Sequence, residues 1–232
     1  MTSPWRLCRL LAVVSFTAAV FLASACAARM VYLPPGGFFP PSFVTHSLML
    51  VFSAAAILAL SKGRVEAFGV TKGSYPFSPR ILWWLLPVAA FSIVGAIASR
   101  GAHSADMLLG LTRIQIVVFV WIWASLCEET LVRGLLQSWL SRIAGTGSST
   151  RNWMSLPVLV SGLFFGAMHL LLVKRMGPAA IPVVAMATYL GLVAAHYREK
   201  TGSLLPAILL HVLFNMVGVL PLWVVQWVRA GL

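Results

Sequence analysis

Trp121-Ile-Trp-Ala-Ser-Leu-Cys-Glu128-Glu129-Thr-Leu-Val-Arg133-Gly-Leu-Leu136 decides how the rest of the chain is read. The protein holds only five acidic residues in 232, and two of them stand side by side in this run. From Ile114 to Cys127 there is no charge, and beyond Arg133 the pattern stays mostly apolar as far as Leu140. An ionisable residue at the centre of a membrane helix costs about 2.5–3.5 kcal/mol on insertion scales, so two adjacent carboxylates need a reason. The stretch reads as a membrane helix carrying an active site.

Composition supports a membrane protein independently. Hydrophobic residues make up 60% of the chain and charged residues 9%, with a mean hydropathy of +0.93. A soluble domain carries about 25% charged residues and cannot hide this much apolar surface in one core. The net charge of +12 does not indicate nucleic acid, because the 17 Lys and Arg are scattered between apolar runs and form neither a basic face nor an arm. In a membrane protein such an excess is what cytoplasmic loops contain. Cys8, Cys26 and Cys127 are widely separated, with no CxxC or Cys/His cluster, so neither a disulfide framework nor a structural zinc site is expected.

The fold class expected is all-α, a polytopic bundle of about seven or eight transmembrane helices around a polar cavity. Residues 1–106 supply three spans that are not diagnostic, and residues 107–232 supply the catalytic helical core, the whole forming one integrated membrane domain. The run Leu10 to Ala28 follows Arg6 and Arg9 and contains Ala23-Ser-Ala25-Cys26, the parts of a signal peptide; its length favours an uncleaved first span. The Pro- and Gly-rich segment Leu33 to Pro41 reads as an external loop. Further spans are read at about 43–60, 81–98, 107–140, 153–173, 178–196 and from Ser203, with 145–150 as a turn-rich loop. The tail from Pro221 reads as an eighth short span or an interfacial helix.

With the N-terminus inside, the inner segments hold Arg6, Arg9, Lys62, Arg64, Lys72, Arg80, Arg142, Arg151, Arg198 and Lys200. The outer segments hold Arg29, Arg100, Lys174 and Arg175, with Arg229 undecided, so the asymmetry favours a cytoplasmic N-terminus. High Ala, Leu, Val and Arg usage points to a bacterial inner membrane. No internal repeat of the kind that builds transporters is present.

Three motifs carry chemistry. In Glu128-Glu129-x-x-x-Arg133, residues four apart share a helix face, so Glu129 pairs with Arg133. Glu128 lies about 100° away around the helix, without that partner and free to take a proton from water. In Phe165-Gly-Ala-Met-His169, one turn sets an aromatic ring beside an imidazole, and Gly162, Gly166 and Ala167 allow another helix to come close. In His211-Val-Leu-Phe-Asn215, two hydrogen-bond donors share one face, as needed to hold an oxyanion. A base, a second proton-transfer group and paired donors form a set for amide hydrolysis by activated water. Singly, an intramembrane His or Asn is often only a helix–helix hydrogen bond, and an acidic pair with Arg only a structural ion pair. His46, His103 and His196 lie near expected helix ends and are read as interfacial.

E-E-x-x-x-R, then F-x-x-x-H, then H-x-x-x-N on successive helices resembles the CPBP family, the CAAX-prenyl protease and bacteriocin-processing (Abi) intramembrane proteases. The resemblance covers about Leu108 to Val219 with no departure at the motif positions. It implies that Glu128 and His169 activate the catalytic water, that His211 and Asn215 stabilise the oxyanion, and that Glu129, Arg133 and Phe165 support them. It also implies a membrane-associated protein or peptide as substrate and the lipid bilayer as surroundings. No cofactor is expected, since no HExxH motif is present; Glu128, His169 and His211 remain a three-ligand zinc alternative. A non-catalytic immunity or partner-binding protein of the same fold is the competing reading, and an ion carrier would need more polar groups than the first three spans offer.

Overall fold

The computed structural model describes residues 4–34, 36–71, 79–99, 110–144 and 155–231. The expected polar break at Arg100, His103 and Asp106, the loop 145–150, Lys72, Arg151 and the start of the fifth span at Trp153 lie outside them. The described residues form helices joined by turns, with no strand. Among the described residues six helices are long and apolar enough to cross a membrane, and a seventh, shorter apolar helix stands among them.

The helices are α1 (Pro4–Ala28), α2 (Pro41–Ser61), α3 (Pro79–Ala98), α4 (Arg113–Ala144), α5 (Leu156–Leu172), α6 (Ile181–Thr201) and α7 (Leu205–Ala230). Their buried stripes are read by periodicity: Val13, Thr17, Val20 and Ser24 on α1, and Met49, Ser53, Ile57 and Ser61 on α2. Hydroxyls on these stripes bond the carbonyl four residues back, as Thr17 Oγ1 does to Val13 O at 2.9 Å, and so remain satisfied in an apolar seam. Proline stands in the first turn of α2, α5, α6 and α7, where no intrahelical donor is lost.

Contacts at the helix ends order the bundle. At one end Leu204 N donates to Gly69 O (3.0 Å), Arg142 stacks on Phe68 (4.1 Å) and Ser155 Oγ donates to Glu199 Oε2 (2.7 Å). At the opposite end Gln115 Nε2 donates to Phe38 O (2.9 Å), and Arg113 lies over Trp223 (5.6 Å). The helices therefore alternate in direction, and α4 and α6 run parallel. Arg133 and Gln137 of α4 donate to Gly191 O and Ala195 O of α6, the same 58-residue offset in both cases.

Two expectations change. The tail from Pro221 is not a separate eighth element: α7 continues through Pro221 to Ala230, which carries Arg229 to the end opposite the one that holds Gly69 and Leu204. A proline inside a membrane helix frees one carbonyl, and local adjustment there accommodates the loss. The described part of the fifth span is the helix Leu156–Leu172. Ala167, read as part of a close-packing face, is exposed, whereas Gly162 and Gly166 do meet α6.

α4 is the central element, buried almost continuously from Ala124 to Leu140. Thr112 and Gln115 close its start with a capping box. Backbone bonding shifts to the wider i→i+5 pattern over Ile116–Ala124 and Thr130–Gln137, on either side of Ser125–Glu129. Such wide turns recur at functional sites.

α5 and α6 approach through glycine. A Cβ on Gly191 would stand 2.6 Å from Gly162 O and 3.1 Å from Phe165 Cβ. Since a backbone oxygen cannot step aside, Gly191→Val is expected to lower stability by about 1–3 kcal/mol. The check is the melting temperature of the purified protein in detergent.

Candidate active site

The two carboxylates of α4 meet different fates. Glu129 is fully buried, with Oε2 3.1 Å from Arg133 Nε and Oε1 accepting from His211 Nδ1 at 2.9 Å. Arg133 is fully buried too; its Nη2 donates to Gly191 O (2.9 Å) and its guanidinium lies 4.6 Å over the Phe165 ring. A buried carboxylate is tolerable only when paired and hydrogen-bonded in this way. Ser138 Oγ, accepting from Arg198 Nη2 and donating to Arg133 O, extends the polar seam toward the end of α4.

Glu128 retains 13% side-chain exposure, against none for Glu129. It sits near the middle of the 32-residue α4, about 20 Å of helix rise from either end. The sequence leaves it without a partner; the structure supplies one. His46 Nε2 of α2 lies 3.1 Å from Glu128 Oε1, and His211 Nε2 lies 3.9 Å from Oε2. His46 was expected at an interface because it stands early in its span. Parallel packing of α2 beside α4 instead brings it to the carboxylate, and this is the site residue that sequence reasoning missed. The available signal was an ionisable side chain within an apolar span.

Around these groups Phe165 acts as a hub. Its ring centroid is 5.0 Å from that of His169 and 5.3 Å from that of His211, edge to face with the latter. His169 Nδ1 donates to Phe165 O (2.9 Å), which fixes the ring and leaves Nε2 uncommitted; the imidazole is within electrostatic reach of Glu128. Asn215 is placed one turn beyond His211, but its amide nitrogen donates to Val120 O and Ser125 Oγ, both at 3.2 Å, tying α7 to α4. Thus His46, Glu128, His169 and His211 come from four helices to one place, and Asn215 borders it.

The zinc alternative can be compared with this arrangement. Among the described residues no three His, Cys, Asp or Glu side chains are gathered so as to hold a metal ion. His211 has Nδ1 engaged by Glu129, so only its Nε2 is open toward Glu128.

Residues 110–217 match the family model described as type II CAAX prenyl endopeptidase Rce1-like. No curated protein and no solved structure matches the chain. The matched stretch runs from the turn before α4 into α7, taking in all three motifs and leaving His46 outside. That agrees with the CPBP resemblance of the motifs. The chain has the apolar helices of an integral membrane protein, and over residues 110–217 it is similar to the Rce1-like type II CAAX prenyl endopeptidases.

Proposed function

We propose that the protein is an intramembrane endopeptidase in which Glu128 activates the water that cleaves a peptide bond of a membrane-associated protein or peptide. The observation that carries this reading is the division of labour in the acidic pair. Glu129 is sealed and neutralised by Arg133, while its neighbour is partly open at mid-depth. Two adjacent carboxylates in different surroundings take different roles.

In this reading Glu128 removes a proton from water as the oxygen attacks the carbonyl carbon, with His169 holding that water through Nε2. His211, with its Nδ1–H held by Glu129, presents Nε2–H to the developing oxyanion as an imidazolium, the form in which both nitrogens donate. Asn215 adds the second donor once its amide exchanges Val120 O for that oxygen. Collapse of the intermediate breaks the C–N bond, and the proton held by Glu128 passes to the leaving amine. Phe165 and Arg133 keep the rings and the paired carboxylate in register.

Residues 107–232 act as the catalytic core, with α1–α3 as its support. The described basic residues concentrate at the end holding Arg6, Arg9, Lys62, Arg64, Arg142 and Lys200, which faces the cytoplasm of a bacterial inner membrane. The mechanism needs no metal, so zinc chelation with 1,10-phenanthroline is expected to leave the cleavage rate within about twofold of the untreated rate. A loss restored by added zinc would replace Glu128 as base with a three-ligand metal site.

The test compares terminal peptides of membrane proteins, by mass spectrometry, in cells carrying the native protein or an equal amount of Glu128→Gln. Longer precursors confined to Glu128→Gln identify the protease and its substrates together. Unchanged termini with an unchanged cellular phenotype would give the assignment to a non-catalytic binding protein.

A further inference from the structure

We propose that His46 is a positioning residue for Glu128: an imidazolium that holds one carboxylate oxygen and turns the other toward the scissile bond. This rests on the assignment of Glu128 as base and extends it to a helix outside the family-matched segment.

The argument is one of proton count. Ser42 O is a carbonyl and can only accept, so His46 Nδ1, 2.7 Å away, carries a hydrogen. His46 Nε2 stands 3.1 Å from Glu128 Oε1. A neutral ring with its hydrogen on Nδ1 would set a nitrogen lone pair against a carboxylate oxygen. A proton therefore lies on that line, shared by the ring and the carboxyl group. For Glu128 to accept a proton from water, the shared proton must reside on the ring, which makes the pair imidazolium and carboxylate. Oε1 is then occupied by His46 Nε2–H, and Oε2, on the side of His211, is the oxygen left to act.

The ring is well held for this task. Its Nδ1 is fixed by its own helix one turn back, and Trp123 Nε1 donates to the adjacent Ser47 Oγ at 3.2 Å, joining α2 to α4 beside the site. The titratable and charged groups that face the pair are His169 from α5, His211 from α7, and Glu129 and Arg133 from α4. During turnover His46 keeps both protons. The water proton goes to Oε2 and from there to the amine, so nothing is left over at the end of the cycle.

The test uses the full chain in lipid nanodiscs and a peptide spanning the cleavage site of a precursor that accumulates in Glu128→Gln cells. His46→Leu is expected to lower kcat by about 100-fold with KM moved by less than about threefold. His46→Gln, whose amide still donates to Oε1, is expected to recover to within about tenfold of native. In protein labelled with 15N-histidine, the His46 ring, assigned by the signals that vanish in His46→Gln, is expected to have both nitrogens protonated and to become neutral in Glu128→Gln. Native kcat in a normally melting His46→Leu variant, with Glu128→Gln inactive, would overturn the role of His46 and leave the protease assignment standing. Cleavage by Glu128→Gln would instead remove the base. The nitrogen spectra then decide the pair by themselves: a neutral His46 ring in native protein overturns the inference, whether or not His46→Leu folds.

Discussion

Glu128→Gln is expected to lower cleavage by about 10²–10⁴-fold, the range for loss of a positioned general base, while the protein keeps its yield and melting temperature. The two halves of this expectation have separate causes. The amide is nearly isosteric and its nitrogen can still bond His46 Nε2, so the contact at 3.1 Å between α2 and α4 survives. What disappears is a group able to take a proton. The 13% exposure of Glu128 means that no sealed ion pair is broken, in contrast to its neighbour. His169→Ala should fall by a similar factor and also stay folded, because its one protein hydrogen bond is to Phe165 O within the same helix. Turnover of the precursor-derived peptide, measured beside thermal unfolding, checks both variants. Full turnover by either one removes its assigned role.

The second large effect is on folding. Arg133→Met is expected to destabilise the protein by about 3–5 kcal/mol, the usual cost of removing one partner from a buried ion pair. Glu129 would be left fully buried without a cation, Gly191 O would lose the guanidinium, and the Phe165 face would lose the charge 4.6 Å above it. The expected readouts are low yield in membranes and a lowered melting temperature, before any effect on chemistry. Adding Glu129→Gln removes the stranded charge, so the double variant should regain stability while its activity stays low, because His211 has lost the carboxylate that orients it. Equal stability of Arg133→Met and native protein would show that the pair contributes nothing to the fold.

Several features were legible because their physics is local. Apolar runs bounded by proline, glycine and basic residues announce helices, and the four-residue spacing of Glu129 and Arg133 announces their pairing. The hub role of Phe165 followed in part from its spacing to His169. Other features depend on packing across the bundle. His46 reaches Glu128 over 82 residues of chain because α2 and α4 lie side by side in parallel, and no periodicity records which helices become neighbours. The engagement of Asn215 with Val120 O and Ser125 Oγ was hidden for the same reason. The tail from Pro221 was read as a separate short span or interfacial helix, whereas a helix in lipid gains too much from backbone bonding to stop at one missing hydrogen.

The pair of bonds from Arg133 to Gly191 O and from Gln137 to Ala195 O has a consequence for how this protein can drift in sequence. The acceptors are main-chain atoms, present whatever side chain α6 carries. Substitution along that face of α6 is limited by bulk alone: Gly191 has no room for a Cβ, whereas Ala195 can change to another small residue without touching the anchorage of the polar side chains of α4. No side chain of α6 will change in step with Arg133, and a search for co-varying residue pairs would pass over the contact between α4 and α6. The chemical identity of the site is thus written almost entirely on one side of that contact, and the other side is free to change while staying thin.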